Sequence, residues 1–318
     1  NQDTSCIDKY SVYGGMNQPF EYVELTIPRR RLIQFTNSEL DGDILAGKNQ
    51  LLVRAIGEGN FIVTRCKLDD DIYTVSGYSF AEAFRGTATV REYREAYSPY
   101  QIILDILGNG VSIGNMSVVY TGDSVVSRYD PLNDVWDGEI HFPQGSNAWY
   151  VMQVCALRLN CRIFFHEEKA YIFDTTVFPN SYGLAWDSYI NRPISLYGEG
   201  TTDPDGGITS PVYLAENVVG SAQLGDEGTS QLCTVVTIGY TDNGESKTVT
   251  CYAPRDMVEF YGERGQKTIR LPEILNEGDA QSIGEHYCLY LCEAQTSIGF
   301  TLKELDDEGW HKIFEPTT

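Results

Sequence analysis

At 318 residues, with 42% hydrophobic residues and a formal net charge of −22, the chain has the make-up of a folded protein with a strongly acidic surface. That charge, with a sequence pI near 4.4, excludes a basic nucleic-acid grip, which needs a cationic face to displace phosphate counterions. No apolar run reaches the roughly 20 residues of a membrane-spanning helix, and 30 Gly beside 21 Tyr point to a β-rich architecture. The chain begins without Met and without a secretory leader pattern, so its N-terminus is expected to be trimmed.

Residues 1–19 are polar and Gly-rich and read as an arm or loop. Phe20 to Ile27 places Val23, Leu25 and Ile27 on one face, which predicts a strand that Pro28 ends. Arg29-Arg30-Arg31 is a basic cluster in an acidic chain; it reads as a solvated loop face or, more sharply, as a contact with an acidic neighbouring subunit. Leu51–Ile56 and Phe61–Cys66 predict a hairpin turning at 57–60. Asp69-Asp70-Asp71 suggests a cation site only superficially. Successive strand residues point to opposite faces, so a charged turn is the better reading. Ile72–Ser76 is the next strand. Ser79, with Glu82 three residues on, predicts a capping box that opens a short helix containing Phe80, Ala83 and Phe84.

Ser98-Pro99 opens a helix whose apolar face is Ile102, Ile103, Ile106 and Leu107, with Gly108 as its stop. Residues 109–145 are loop-rich, with a short strand at Val118–Tyr120. Ser146 or Asn147 starts a second helix, lined by Ala148, Val151, Met152, Cys155 and Leu159 and ended by Asn160. Cys161–Phe165 and Ala170–Phe173 make a hairpin around His166–Lys169. Residues 174–232 read as a long connection. Within it, Asp203-Pro204-Asp205-Gly206-Gly207 lacks the alternating oxygen ligands and closing Glu of a calcium loop.

Thr234–Tyr240 and Lys247–Tyr252 alternate on either side of Asn243-Gly244, a strong signal for a type I′ hairpin. Val258–Arg264 and Thr268–Leu271 read as a further strand pair before Pro272. From Asp279 the period changes, and Ala280, Ile283, Tyr287, Leu291 and Ala294 share one helical face. Ile298–Leu302 closes the order as a strand, followed by the acidic stretch Glu304–Glu308. The segments 20–84 and 233–302 echo each other in element order, though not in residue identity.

Chemistry is not signalled. The histidines His141, His166, His286 and His311 belong to no HExxH motif, and no G-x-S-x-G elbow or P-loop is present. The eight cysteines form no CxxC and read as reduced core residues, in keeping with assembly in a cytoplasm. Cys288 and Cys292 have zinc-like spacing, but no second pair accompanies them. The expectation is no catalytic, cofactor-binding or metal residue, no cofactor, and no enzymatic activity.

Tyr261-Gly262-Glu263-Arg264, Pro272 and Asp279-Ala280 stand in the order seen in the closing β-barrel of tail hub proteins of tailed phages, the group that includes the late control protein D and the baseplate hubs. Gly59-Asn60-Phe61-Ile62, Val75-Ser76-Gly77-Tyr78-Ser79 and Arg85 resemble the first barrel of that family, and the helix-plus-hairpin of 146–173 resembles its middle region. The resemblance covers most of 20–302 by short motifs. It implies an α+β, β-rich fold: an N-terminal arm and first tube-like β-barrel at 1–97, a middle α+β region at 98–210 and a second tube-like barrel at 211–318. It further implies a homotrimeric baseplate hub at the tail tip of a virion, assembled in the host cytoplasm. Two similar barrels per subunit would give a threefold ring the pseudo-sixfold symmetry needed to stack on a hexameric tube. The implied partners are further copies of the chain, the tail tube or a distal tail protein, a tip, fibre or spike protein, and a tape measure protein. DNA would pass through the channel without specific binding, and this chain would not insert into a membrane. Two other readings stand beside it: a cell-wall or surface-glycan hydrolase, and a carbohydrate-binding adhesion module using Trp149, Trp186 and Trp310.

Overall fold

Alternation of apolar residues builds the first sheet. In the computed structural model, which describes residues 9–15, 18–29, 52–54, 60–113, 116–128, 134–166, 168–174, 184–187, 192–196, 218–226, 232–291 and 296–302, strands β1 (Lys9–Gly15), β2 (Gln18–Pro28), β3 (Leu52–Arg54), β4 (Asn60–Asp69) and β5 (Ile72–Ser79) pair antiparallel in the order β1-β2-β5-β4-β3. Val23, Leu25 and Ile27 of β2 meet Phe61, Tyr73 and Val75 in a buried cluster on one face, as their period-2 spacing requires. Asp69-Asp70-Asp71 forms the tight β4–β5 turn, with Asp70 at a φ of 53°. Part of the expected N-terminal arm is instead a strand. β1 pairs with β2 from Lys9↔Thr26 to Tyr13↔Tyr22, because Tyr10, Val12 and Tyr13 favour extended backbone and β2 offers them an edge.

The capping box expected at Ser79 does not form. Ser79 is still paired with Phe61 inside the sheet, so its hydroxyl cannot turn back onto the next turn of chain. The hydroxyl is buried with no hydrogen-bond partner, and Phe80–Gly86 is a 3-10 helix rather than a capped α-helix. After β6 (Tyr93–Arg94), helix α1 (Pro99–Asn109) carries the full capping box. Ser98 Oγ accepts from Gln101 N–H at 3.2 Å, and Gln101 Oε1 accepts from Ser98 N–H at 3.1 Å. Its stop is Gly110 rather than Gly108. Gly110 reaches a φ of 67° and donates its N–H back to Ile106 and Leu107. Strands β7 (Val111–Ile113) and β8 (Met116–Val118) form a hairpin, so the strand expected at 118–120 begins and ends earlier. β9 (Val125–Arg128) follows, then β10 (His141–Phe142), which pairs with β6. Helix α2 (Ala148–Arg158) is capped by Asn147 Oδ1, which accepts from Tyr150 N–H at 2.9 Å, and Asn160 at φ 57° ends its final turn. β11 (Cys161–His166) and β12 (Lys169–Asp174) make the expected hairpin, and β9 adds to β12 in parallel.

β13 (Leu184–Asp187) pairs with β14 (Arg192–Leu196), and β15 (Val218–Asp226) precedes the second sheet. The stretches Arg30-Arg31, Asp203–Gly207 and Glu304–Glu308 lie outside the described residues. β16 (Val235–Asp242) and β17 (Glu245–Tyr252) turn at Asn243 (φ 51°) and Gly244 (φ 81°), the two left-handed residues of a type I′ turn. The strand expected at Val258–Arg264 is instead helix α3 (Arg255–Tyr261). Its alternating run is only four residues long. Against it act an Arg255–Glu259 ion pair at i,i+4, Asp256 in the first turn and Gly262 as a left-handed stop. β18 (Lys267–Arg270) then joins β16 in parallel, α4 (Glu277–Leu291) lies over β16 and β17, and β19 (Thr296–Leu302) pairs with β15.

The architecture is α+β and β-rich. One continuous core runs from Phe20 to Cys288. Phe165 is its hinge: Phe20 and Phe84 stack on it at 5.5 and 5.6 Å, and Tyr120 lies at 5.2 Å. At the other end, Ala280 and Ile283 of α4 join Val236, Ile238 and Cys251 of the second sheet in that core. Gly284 permits this close seat, since a Cβ there would lie 2.5 Å from Cys251 Sγ and 3.0 Å from Ile238 Cγ1. Gly284→Ala is therefore expected to destabilise the fold by about 1–3 kcal/mol through overpacking, although alanine is the better helix former by about 1 kcal/mol. Urea unfolding measures this, and an unchanged or raised midpoint would show that α4 is not held so closely.

Candidate functional site

The motif residue Asp279 is fully buried, and a buried carboxylate needs partners. It sits in the first turn of α4 after Asn276, which it meets reciprocally. Asp279 N–H donates to Asn276 Oδ1 at 2.8 Å, and Asn276 Nδ2 donates to Asp279 Oδ2 at 2.7 Å. Arg158, the last residue of α2 and only 4% exposed, donates from Nε to Asp279 Oδ1 at 2.7 Å. The N–H groups of Asp137 and Gly138 donate to the same carboxylate at 2.9 and 3.2 Å. Arg158 Nη2 also reaches Asp137 Oδ1 at 3.2 Å. Gly138 is required here, because a Cβ would meet the Asn276 side chain at 2.8–2.9 Å.

Further bonds extend the seam. Leu275 N–H and Asn276 Nδ2 donate to Glu139 O, His141 N–H donates to Glu273 O at 2.8 Å, and Tyr150 OH donates to Glu273 Oε2 at 2.9 Å. The two oxygens of Asp279 are thus committed to four donors from three separate parts of the chain. What this arrangement does is join α2, the 137–141 segment and α4. Asp279, with no exposed surface, is fully committed to holding them, while the Asp137 carboxylate is half exposed at the rim.

The Tyr261-Gly262-Glu263-Arg264 segment is also architectural. Gly262, at φ 75°, caps α3 by donating to Val258 O at 2.8 Å. Buried Thr234 donates its hydroxyl to Gly262 O and accepts from Arg264 N–H, each at 2.8 Å, which straps the segment to the start of β16.

Groups with chemical potential are dispersed. His141 Nε2 lies 3.5 Å from Glu92, and His286 Nδ1 is 2.9 Å from Leu157 O. The His166 side chain and His311 lie outside the described residues. Burial pushes the Cys155 thiol well up, and burial with the Glu285 charge pushes Cys251 to about 11, so neither is a ready thiolate. Cys66, Cys155, Cys161, Cys233, Cys251 and Cys288 take part in no disulfide among the described residues, and Cys6 and Cys292 lie outside them. Burial and the Asp105 carboxylate, which accepts from Tyr93 OH at 2.6 Å, raise the Tyr93 pKa. Among the described residues no three His, Cys, Asp or Glu side chains gather as a metal cradle. Trp149 is 8% exposed and packs on Phe20 at 4.6 Å, so it is no platform for a sugar; the Trp186 side chain and Trp310 lie outside the described residues.

Among the described residues, the second sheet presents an open edge to a partner. β17 is exposed along most of its length, and Tyr252 (51%) and Phe260 (79%) present aromatic surface beside it. Sequence reasoning singled out Asp279 but missed Arg158, Asn276 and Asp137. Signals existed: an Arg between the buried Cys155 and Leu159, and an Asn three residues before an Asp at a helix start.

These features define an α+β body whose motif residues serve its architecture. No protein-family model matches the chain, and no curated protein does. Solved structures similar to it include three tail proteins, two of them from prophages. The prophage tail protein gp18 from Listeria monocytogenes EGD-e is 14% identical, with a TM-score of 0.46 over 88% of this chain and 70% of that one. The tail protein from Neisseria meningitidis MC58 is 11% identical, with a TM-score of 0.42 over 85% of this chain and 68% of that one. The 43 kDa tail protein of prophage MuSo2 from Shewanella oneidensis is 11% identical, with a TM-score of 0.40 over 85% and 70%.

Removing Asp279 leaves the buried Arg158 with only the half-exposed Asp137 as a charged partner. Asp279→Ala is expected to cost about 3–5 kcal/mol in chemical denaturation. The double variant Arg158→Met, Asp279→Leu is expected to lose well under the sum of its single changes. Additive losses would show that the two side chains do not act as a pair.

Proposed function

We propose that this chain is a structural protein of a phage tail, a hub at the tail tip that works as a homotrimeric ring. The observation that carries the reading is the use made of the motif residues. Asp279, Gly262 and Arg264 lock helices, strap and sheet into one body, which is what a load-transmitting ring subunit needs, and Asp279 leaves no free acid or base for catalysis. The order of elements supports it: sheet, short helix, middle helices with hairpin, second hairpin, helix and strand follow the order of the tail hub family. In this reading 1–97 and 211–318 supply the walls of two tube-like barrels around a channel, and 98–210 is the middle region.

The ring joins the tail tube or a distal tail protein to a tip, fibre or spike protein, with a tape measure protein inside the tube. DNA passes without being held, because a net charge of −22 repels phosphate rather than binding it. Its place is in the virion at the tail tip, after assembly in the host cytoplasm, and its role is mechanical rather than enzymatic.

Negative-stain imaging of the purified chain at high concentration tests this. Class averages are expected to show threefold rings with a central hole. Featureless monomers at every concentration would contradict the reading, and clearing of purified cell wall by them would support a hydrolase.

A further inference from the structure

β17 leaves one side of its sheet open. In a hairpin closed by a two-residue turn, bonded and non-bonded pairs alternate outward from the turn. Asp242↔Glu245 closes this one, so Glu245, Lys247, Val249 and Cys251 turn their peptide groups toward β16. The bond from Ala253 N–H to Thr234 O, at 2.9 Å, continues that parity. Ser246, Thr248, Thr250 and Tyr252 therefore aim their N–H and C=O groups outward, and among the described residues no strand meets them. Those four residues are exposed, the register with β16 has no bulge, and the strand contains no Pro. Protected edges are short, kinked or Pro-bearing; one this long and regular is a template for another strand.

The opposite edge of the same sheet fits it. Leu271 N–H donates to Gly239 O at 2.7 Å, which by parity leaves Thr268 and Arg270 of β18 facing outward. Thr268 and Thr250 both lie opposite Thr237, and Arg270 and Thr248 both lie opposite Gly239, so outward groups stand at the same levels on the two edges. β18 also runs antiparallel to β17, the favoured pairing sense. The charges are complementary. Exposed Arg264, Lys267 and Arg270 outweigh Glu263 and Glu273 on the β18 side, where Glu273 is turned to Tyr150 OH, while on the β17 side Lys247 pairs with Asp242 and Arg255 with Glu259, leaving the charges of Glu245 and Asp256. Exposed Tyr252 at the end of β17 adds apolar area to a backbone ladder.

We propose that β17 is the docking edge for a second copy of this chain and takes that copy's β18 as an antiparallel neighbour, with Thr250 beside Thr268 and Thr248 beside Arg270. The contact is heterologous, so it repeats head to tail and makes a ring where the rotation between copies closes, an open filament where it does not. It rests on the self-association in the proposed function and names the edge that makes it.

Sedimentation velocity over a concentration series tests this on the wild type, Thr248→Pro, Thr250→Pro and Arg270→Glu. Proline at 248 or 250 removes only an outward N–H and spares the hairpin bonds to β16; circular dichroism and melting temperature check the fold. The wild type is expected to assemble, and each variant to raise the half-assembly concentration about tenfold or more. Assembly unchanged in folded proline variants overturns the β17 edge and leaves the ring proposal standing. Assembly lost with proline but untouched by Arg270→Glu overturns β18 as the docking strand. A wild type that stays monomeric throughout overturns both the edge and the ring. If a proline variant does not fold, Arg270→Glu, at an exposed position, decides the matter by itself: assembly as strong as the wild type's overturns the pairing, and weakened assembly supports it.

Discussion

The rest of the structure depends on how one buried charge is satisfied. Asp279 has no exposed surface, and an isolated carboxylate there would be untenable. Its partners come from Arg158 at the end of α2, from the backbone at 137–138 and from Asn276 at the start of α4. They are brought together across sequence separations of 121 and 142 residues for Arg158 and Asp137. Forming the pair fixes the end of α2, the 137–141 segment and the start of α4 in one arrangement. A hydrophobic replacement could be as stable. The ion pair instead rewards a single register, because a slip of α4 takes the buried Asp279 carboxylate away from Arg158.

Apolar packing does the same work at the other end of the core. Phe20 from the first sheet and Phe84 from the 3-10 helix stack on Phe165 of the middle hairpin, with Trp149 of α2 behind them. The first sheet is thereby coupled to α2 through aromatic contacts, and α2 to the second sheet through Arg158 and α4. Force applied to one sheet has a packed route to the other. The open β17 edge and the exposed Phe260 lie outside that route, on the second sheet and its connecting helix.

Much of this was legible in the sequence where one local rule dominates. Asn243-Gly244 announced the β16–β17 turn, because few other pairs tolerate two left-handed residues. Ser98-Pro99 announced α1, and the spacing of Ala280 and Ile283 announced α4. Reading failed where local signals competed. Val258 to Tyr261 alternates like a strand, but an i,i+4 ion pair and the glycine stop favour a helix. Ser79 resembles a helix cap, yet its pairing with Phe61 holds it in the sheet. The clamp was half visible. Asp279 stood out by motif, but its partner Arg158 is fixed only by tertiary packing, which no local pattern encodes. The open edge of β17 was hidden for a related reason, since strand order belongs to the folded sheet.

Through Asp279 the end of α2, the 137–141 segment and α4 are tied into one body. Hydrogen exchange followed by mass spectrometry, on the wild type and Asp279→Asn, tests this most directly. Peptides from α1, α2 and α4 in the wild type are expected to share one opening free energy, and the substitution to lower protection in all three together. Loss confined to α4, with α1 and α2 unchanged, would contradict it and show separate units that merely touch.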